Sequence, residues 1–134
     1  MITIRTINET DYEQYVVPMW ESWNSPAPPK DFLPEEGIGG YIVFDGEIPV
    51  SCGFTYVTNS LCAWAEWLCT NKNYTNRNNR KIALNLLLDT MTNVCIKLGY
   101  KYIFAVVKSE PLIKIYEESG FTKSVQGFEM FKKI

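Results

Sequence analysis

The segment from residue 61 to residue 107 leaves this chain few folds to choose from. Residues 61 to 69 read as a strand, and Ile82, Ala83, Leu86, Leu87, Met91, Val94 and Leu98 then recur at helical spacing until Gly99 stops the run. The helix implied over about 79 to 98 is roughly 30 Å long at ~1.5 Å per residue. A continuous apolar run over 102 to 107 follows, the mark of a central strand covered on both faces. Strand, helix and strand in this order require a crossover, which joins parallel strands and is right-handed in nearly all proteins. A sheet that is at least partly parallel is therefore implied before any other element is placed.

The first half is written in a different grammar. Residues 2 to 7 alternate apolar and polar, as a half-buried strand does. Asn8 to Asp11 supply helix-cap chemistry, and Tyr12, Tyr15, Val16, Met19, Trp20 and Trp23 make a helical apolar stripe. The stretch "NSPAPPKDFLPEEGIGG" (24 to 40) is rich in Pro and Gly and reads as a rigid loop with one helical turn. Residues 41 to 44 and 48 to 57 form a hairpin about Asp45-Gly46, and the strand over 61 to 69 extends it antiparallel. After residue 107 a short helix and a final hairpin, 124 to 126 and 128 to 132 around Gly127, complete the order.

Composition narrows the chemistry. At 134 residues, 46% of them hydrophobic, the chain suffices for one domain with one continuous core. Its apolar runs are too short to span a bilayer, and residues 1 to 5 lack the basic and apolar blocks of a secretory signal, so cytoplasmic residence is expected. There is no histidine, which removes Ser-His-Asp and Cys-His nucleophilic sites. Cys52, Cys62, Cys69 and Cys95 are isolated and read as reduced core residues, with no metal implied. A general base must then be a carboxylate, a Cys, a Tyr, a Lys or a held water.

Charge is distributed unevenly. Residues 1 to 67 sum to −8 and residues 68 to 134 to +6. Lys72, Arg77, Arg80 and Lys81 fall between residues 70 and 88 with no acid among them, and three of them stand where the long helix begins. Cations are unfavourable at the positive end of a helix, so this cluster is either a solvated basic turn or a place for an anion such as a phosphate. Nucleic-acid phosphates are a weaker match, given the acidic half and the lack of a recognised nucleic-acid-binding motif.

Near the carboxyl end the chain reads "LIKIYEESGF" (112 to 121). Ser109 can cap this helix, Pro111 suits its second position, and Gly120 can end it in the left-handed conformation. The element order, this stretch and "NRNNRKIALNLLL" (76 to 88) together resemble the GNAT superfamily of N-acyltransferases, in particular small phage-type members with a degenerate acyl-CoA loop. "YEESGF" is similar to the family's aromatic-Glu-x-x-Gly-Phe ending, and residues 76 to 88 fall where the family has Arg/Gln-x-x-Gly-x-Gly/Ala. Asn78 stands at the Arg/Gln position and Lys81 at a glycine position, so side-chain charge from Arg77, Arg80 and Lys81 would replace backbone approach to a pyrophosphate.

The resemblance implies a single α/β (α+β) domain over 1 to 134. Its mixed central sheet would have about six to seven strands, with a βαβ crossover and helices on both faces. It implies transfer of an acetyl or other acyl group from acetyl-CoA to a primary amine of a small molecule or protein; a non-catalytic binding or inhibitor module is the alternative. It places Leu68, Cys69 and Thr70 along the pantetheine arm, with Arg77, Asn78, Asn79, Arg80, Lys81 and Ile82 at the pyrophosphate and Ser109 nearby. Glu66, between Trp64 and Trp67, is either the base or a carboxylate facing water. Tyr116 is either the acid at the sulfur or a core aromatic. Trp20, Trp23, Asp31, Tyr41 and Trp64 are the candidate acceptor residues, making an aromatic and acidic mouth. The resemblance involves no membrane and allows a homodimer.

Overall fold

The computed structural model describes all 134 residues. Five strands form one sheet in the order β1-β2-β3-β4-β5: Ile2–Thr6, Gly40–Asp45, Ile48–Tyr56, Cys62–Thr70 and Tyr102–Phe104. The first four are antiparallel neighbours, and β5 lies parallel to β4. The β2–β3 hairpin turns where expected, with Gly46 at φ 62°. Helix α2 (Arg77–Lys97) makes the crossover between β4 and β5. It starts two residues earlier than the apolar period suggests because Asn76 caps it, its side chain accepting the Asn79 N–H at 3.0 Å.

Helices cover both faces. On one, α2 and α3 (Glu110–Glu118) bury Val43, Ala65, Leu87, Leu88, Met91 and Tyr116. On the other, α1 (Val17–Glu21) and the π-helical turn before it (Tyr12–Val16) cover Ile42, Cys52 and Phe54 with Val16 and Met19. The π turn reflects Pro18, which has no N–H to continue an α ladder; the Val17 N–H donates to Tyr12 O, five residues back. The apolar stripe of α2 is rotated from the expected one. Leu84, Leu88 and Cys95 join Ala83, Leu87 and Met91 inside, while Ile82 and Leu98 are exposed.

Two expectations are overturned. The run over 102 to 107 is not a central strand covered on both faces: β5 is a three-residue edge strand whose Tyr102 and Phe104 are exposed. The hairpin over 124 to 132 is absent, leaving five strands instead of six or seven; residues 121 to 134 carry no regular structure, and Val125, Phe128, Met130 and Phe131 are exposed. The two departures share a cause. Ladder pairing between β4 and β5 stops at Trp64 and Phe104, so the outer edge of β5 is too short to seat a further hairpin.

Candidate active site

Where β4 and β5 part, the sheet opens. Past the Trp64–Phe104 pair no backbone ladder joins the strands, and a side chain crosses instead: Glu66 Oε1 accepts the Val106 N–H at 2.7 Å. One residue further, β4 bulges. Trp67 and Leu68 together oppose Gly53, and Trp67 takes φ +59°. Glycine leaves room opposite the bulge, because a Cβ at Gly53 would come within 2.9 Å of Leu68 Cδ1 and Leu68 would have to shift. The bulge sends Leu68 toward α2 and Cys69 to the opposite face, and brings Trp67 against Trp20 and Phe32.

Beside this opening lies a cavity of about 720 Å³. Leu68, Cys69 and Thr70 of β4 form its floor, Arg77, Arg80 and Lys81 of the first turns of α2 one wall, and Ser109, Leu112 and Ile115 another. The sequence expectation for a cofactor cleft thus falls largely on one concavity. Asn78, Asn79 and Ile82 do not line it; the Asn79 N–H is spent on the helix cap and Ile82 is exposed. The cations differ in freedom. Arg80 donates to Tyr74 O and leaves its Nε buried without a partner, Lys81 pairs with Glu118 at 3.2 Å, and Arg77 makes no ion pair. Ser109 precedes α3 but makes no side-chain capping bond, contrary to expectation, so its hydroxyl is left for the cavity. Three cations at a helix amino terminus, one with an orphaned N–H, fit the pyrophosphate of a nucleotide-bearing cofactor such as CoA.

Glu66 is half-buried, and desolvation raises its carboxyl to about 7, with the charge of Glu129 adding to the rise while the Val106 N–H and Lys108 oppose it. Tyr116 is 4% exposed and sits at the same gap from the α2–α3 side, its hydroxyl donating to Ala65 O at a long 3.4 Å. Burial first, and the charge of Glu66 second, hold that hydroxyl well above its usual range, so it keeps its proton. Gly120, at φ +100°, turns the chain after α3 and lets Phe121 stack edge-on against Tyr116 at 4.9 Å. The Cys69 thiol is pushed up to about 12, by burial above all, and is no nucleophile. A carboxylate that titrates near neutrality and a protonated phenol therefore lie on opposite faces of β4 where it parts from β5. Tyr116 borders the concavity between residues 103 to 108, α3 and residues 121 to 128, not the one walled by the α2 cations.

The remaining sequence candidates separate. Trp20 and Trp23, assigned to the acceptor, line the same cavity as the α2 cations; Trp23 Nε1 donates to Thr70 O at 2.6 Å, and Lys72 sits over its ring at 5.3 Å. Trp64 lies on the Glu66 face, its ring 4.3 Å from that of Phe104. Asp31 is exposed beside Phe32 in a 3₁₀ turn (Lys30–Phe32). Tyr41 does not reach the mouth. It packs on the opposite face near Cys95 of α2, because the register of β2 turns its side chain there. Residues outside the expected set also border the opening. Tyr56 accepts from Trp67 Nε1 at 2.8 Å and donates to Phe32 O at 2.9 Å, Phe131 stacks on Phe32 at 6.3 Å, and Lys108 pairs with Glu129 at 3.5 Å. All four arrive through long-range contacts that leave no local spacing to read.

No protein-family model and no curated protein matches the sequence. Solved structures do match. A GNAT-family acetyltransferase from Streptococcus pneumoniae superposes with a TM-score of 0.68 at 15% identity over 100% of both chains. This is the GNAT fold. A GNAT-fold neighbour, AAC(6')-Iy, was solved with the bisubstrate analogue CoA-S-monomethyl-acetylneamine and matches at TM-score 0.68 and 15% identity, over 100% of this chain and 99% of that one. A structure described as a transcriptional regulator from Bacillus halodurans matches at TM-score 0.71 and 17% identity, over 98% of this chain and 100% of the other. At such identities the likeness is one of architecture, and what this GNAT-fold chain does depends on its own side chains.

Proposed function

We propose that this chain is an acetyl-CoA-dependent N-acyltransferase acting on a primary amine of a small molecule or protein. The observation that carries the reading is the placement of Glu66 and Tyr116 on either side of the β4–β5 opening, next to a cavity walled by Arg77, Arg80 and Lys81. The CoA analogue bound by one protein of the same fold supports the choice of cofactor. Acetyl-CoA, when bound, supplies an acyl group activated as a thioester. Arg77 and Arg80 would hold its pyrophosphate, with Lys81 shared between that anion and Glu118. The bulged backbone of β4 would align the arm that carries the acyl group.

Glu66 accepts the proton that the acceptor amine must lose, directly or through one water. With its carboxyl raised to about 7, it is ionised in part at neutral pH and still basic enough for the task. Tyr116 keeps its proton and can donate a hydrogen bond to charge developing at the leaving sulfur. Phe32, Trp64 and Trp67 wall the amine's approach with aromatic side chains that favour a cation.

One observation favours the alternative of a non-catalytic binding or inhibitor module: residues 71 to 81 contain no glycine, so backbone N–H groups cannot approach a pyrophosphate closely. Thermal unfolding with acetyl-CoA distinguishes the two. The transferase reading requires a rise in Tm, about 2.7 kcal/mol of stabilisation at a hundredfold excess over Kd. Arg77→Glu, which breaks no ion pair, and Arg80→Glu should both abolish that rise. No shift at millimolar acetyl-CoA would overturn the reading, and a shift without transfer to any amine would favour the module.

A further inference from the structure

Phe104 pairs with Trp64 and shares its face of the sheet, the face that also carries Glu66. Two residues on, the Val106 N–H is held by Glu66; two further comes Lys108. The Lys108 ammonium is exposed and seated against Glu129 at 3.5 Å, and Lys108 lines one concavity with Val106 and Tyr116. The carboxyl-terminal segment that carries Glu129 is itself tied across the mouth by Phe131 on Phe32. A primary alkylamine of this chain thus stands two residues beyond the backbone N–H that Glu66 holds, and it shares a concavity with Tyr116.

We propose that Lys108 is a self-acylation site. The inference rests on the acyltransferase reading of the site. In the step, Lys108 Nζ attacks the acyl carbonyl carbon of acetyl-CoA, so that an N–C bond forms and the C–S bond breaks. The Lys108 ammonium first gives one proton to solvent, which frees the lone pair that attacks; the second proton passes from nitrogen to Glu66, and the CoA thiolate leaves and takes a proton from water. No oxidant or further reactant is needed. Tethering gives the amine an advantage that a free amine lacks, and the product amide has no charge to pair with Glu129. Lys97 and Lys101 serve as internal references. They lie at the end of α2 and just before β5, away from Glu66, and report the uncatalysed rate on exposed lysines.

The test incubates the full chain with acetyl-CoA and follows acetyl occupancy at each lysine by peptide mass spectrometry, with the Tm of the same samples recorded in parallel. Lys108 should be labelled at least about tenfold faster than Lys97 and Lys101, and Glu66→Gln should remove that excess without changing the reference sites. Equal rates at all three lysines, in a chain whose Tm responds to acetyl-CoA, overturn self-acylation and leave the transferase reading standing. An excess at Lys108 that persists in Glu66→Gln overturns the assigned base and with it the proposal. No Tm response and no excess at Lys108 overturn both.

Discussion

Replacing Glu66 by Gln separates two consequences of half-burying a carboxyl at the β4–β5 gap. In the folded chain its proton is held up to about 7 against an ordinary value of 4.5, chiefly because the charged form is desolvated. That difference corresponds to roughly 3 kcal/mol lost from the folded state when the group ionises, and water around the half-exposed side chain reduces it to about 1 to 2 kcal/mol. The sign follows from which state binds the proton more tightly. The folded state does, so the wild type loses this stability as pH rises from the unfolded value through about 7. Gln keeps an oxygen for the Val106 N–H and does not titrate. Urea unfolding should therefore show the two chains nearly equal at about pH 4 and the Gln variant more stable by about 1 to 2 kcal/mol at about pH 8. Turnover should move the other way, with kcat falling about 10²- to 10⁴-fold, and with the wild-type rate rising about tenfold between about pH 6 and pH 8. A Gln variant destabilised equally at both pH values would refute the argument, since Glu66 would then be a structural hydrogen-bond partner and not a desolvated base.

Tyr116→Phe should unfold within about 1.5 kcal/mol of wild type, because the hydroxyl makes only a 3.4 Å bond to Ala65 O, while kcat drops about 10²-fold at unchanged donor affinity; calorimetry of CoA binding beside steady-state rates reads both. Gly53→Ala should cost about 1 to 3 kcal/mol, seen as a lower urea midpoint at unchanged slope, because the new methyl meets Leu68 Cδ1 and then Leu87 Cδ2 at 3.3 Å.

The legible part of the fold is the part specified by local period. Strand, long helix and strand over residues 61 to 104 are written in hydrophobic repeats, and the Asp45-Gly46 turn in residue type. The expected carboxyl-terminal hairpin rests on two short runs about Gly127, yet a strand also needs an edge, and β5 offers three residues. The site divides along the same line. The cations of α2 and the floor of β4 lie on consecutive stretches and fall together on one cavity. Tyr41 was misplaced because one step of strand register decides its face. The left-handed Trp67 has no counterpart in composition, and the pairs Glu66 with Val106 and Lys108 with Glu129 join residues from three distant parts of the chain.

The bulge in β4 and the aromatic clasp around it have a practical consequence. The chain has four tryptophans, and Trp20, Trp23, Trp64 and Trp67 all stand at the opening or its cavity, none within the cluster packed under α2. Intrinsic emission is therefore a local optical probe that comes with the protein. Two of the four indoles already contact a polar group that an arriving molecule would disturb, Trp23 at Thr70 O and Trp67 at Tyr56 Oη. A titration that shifts emission while circular dichroism stays constant reads occupancy of this one place.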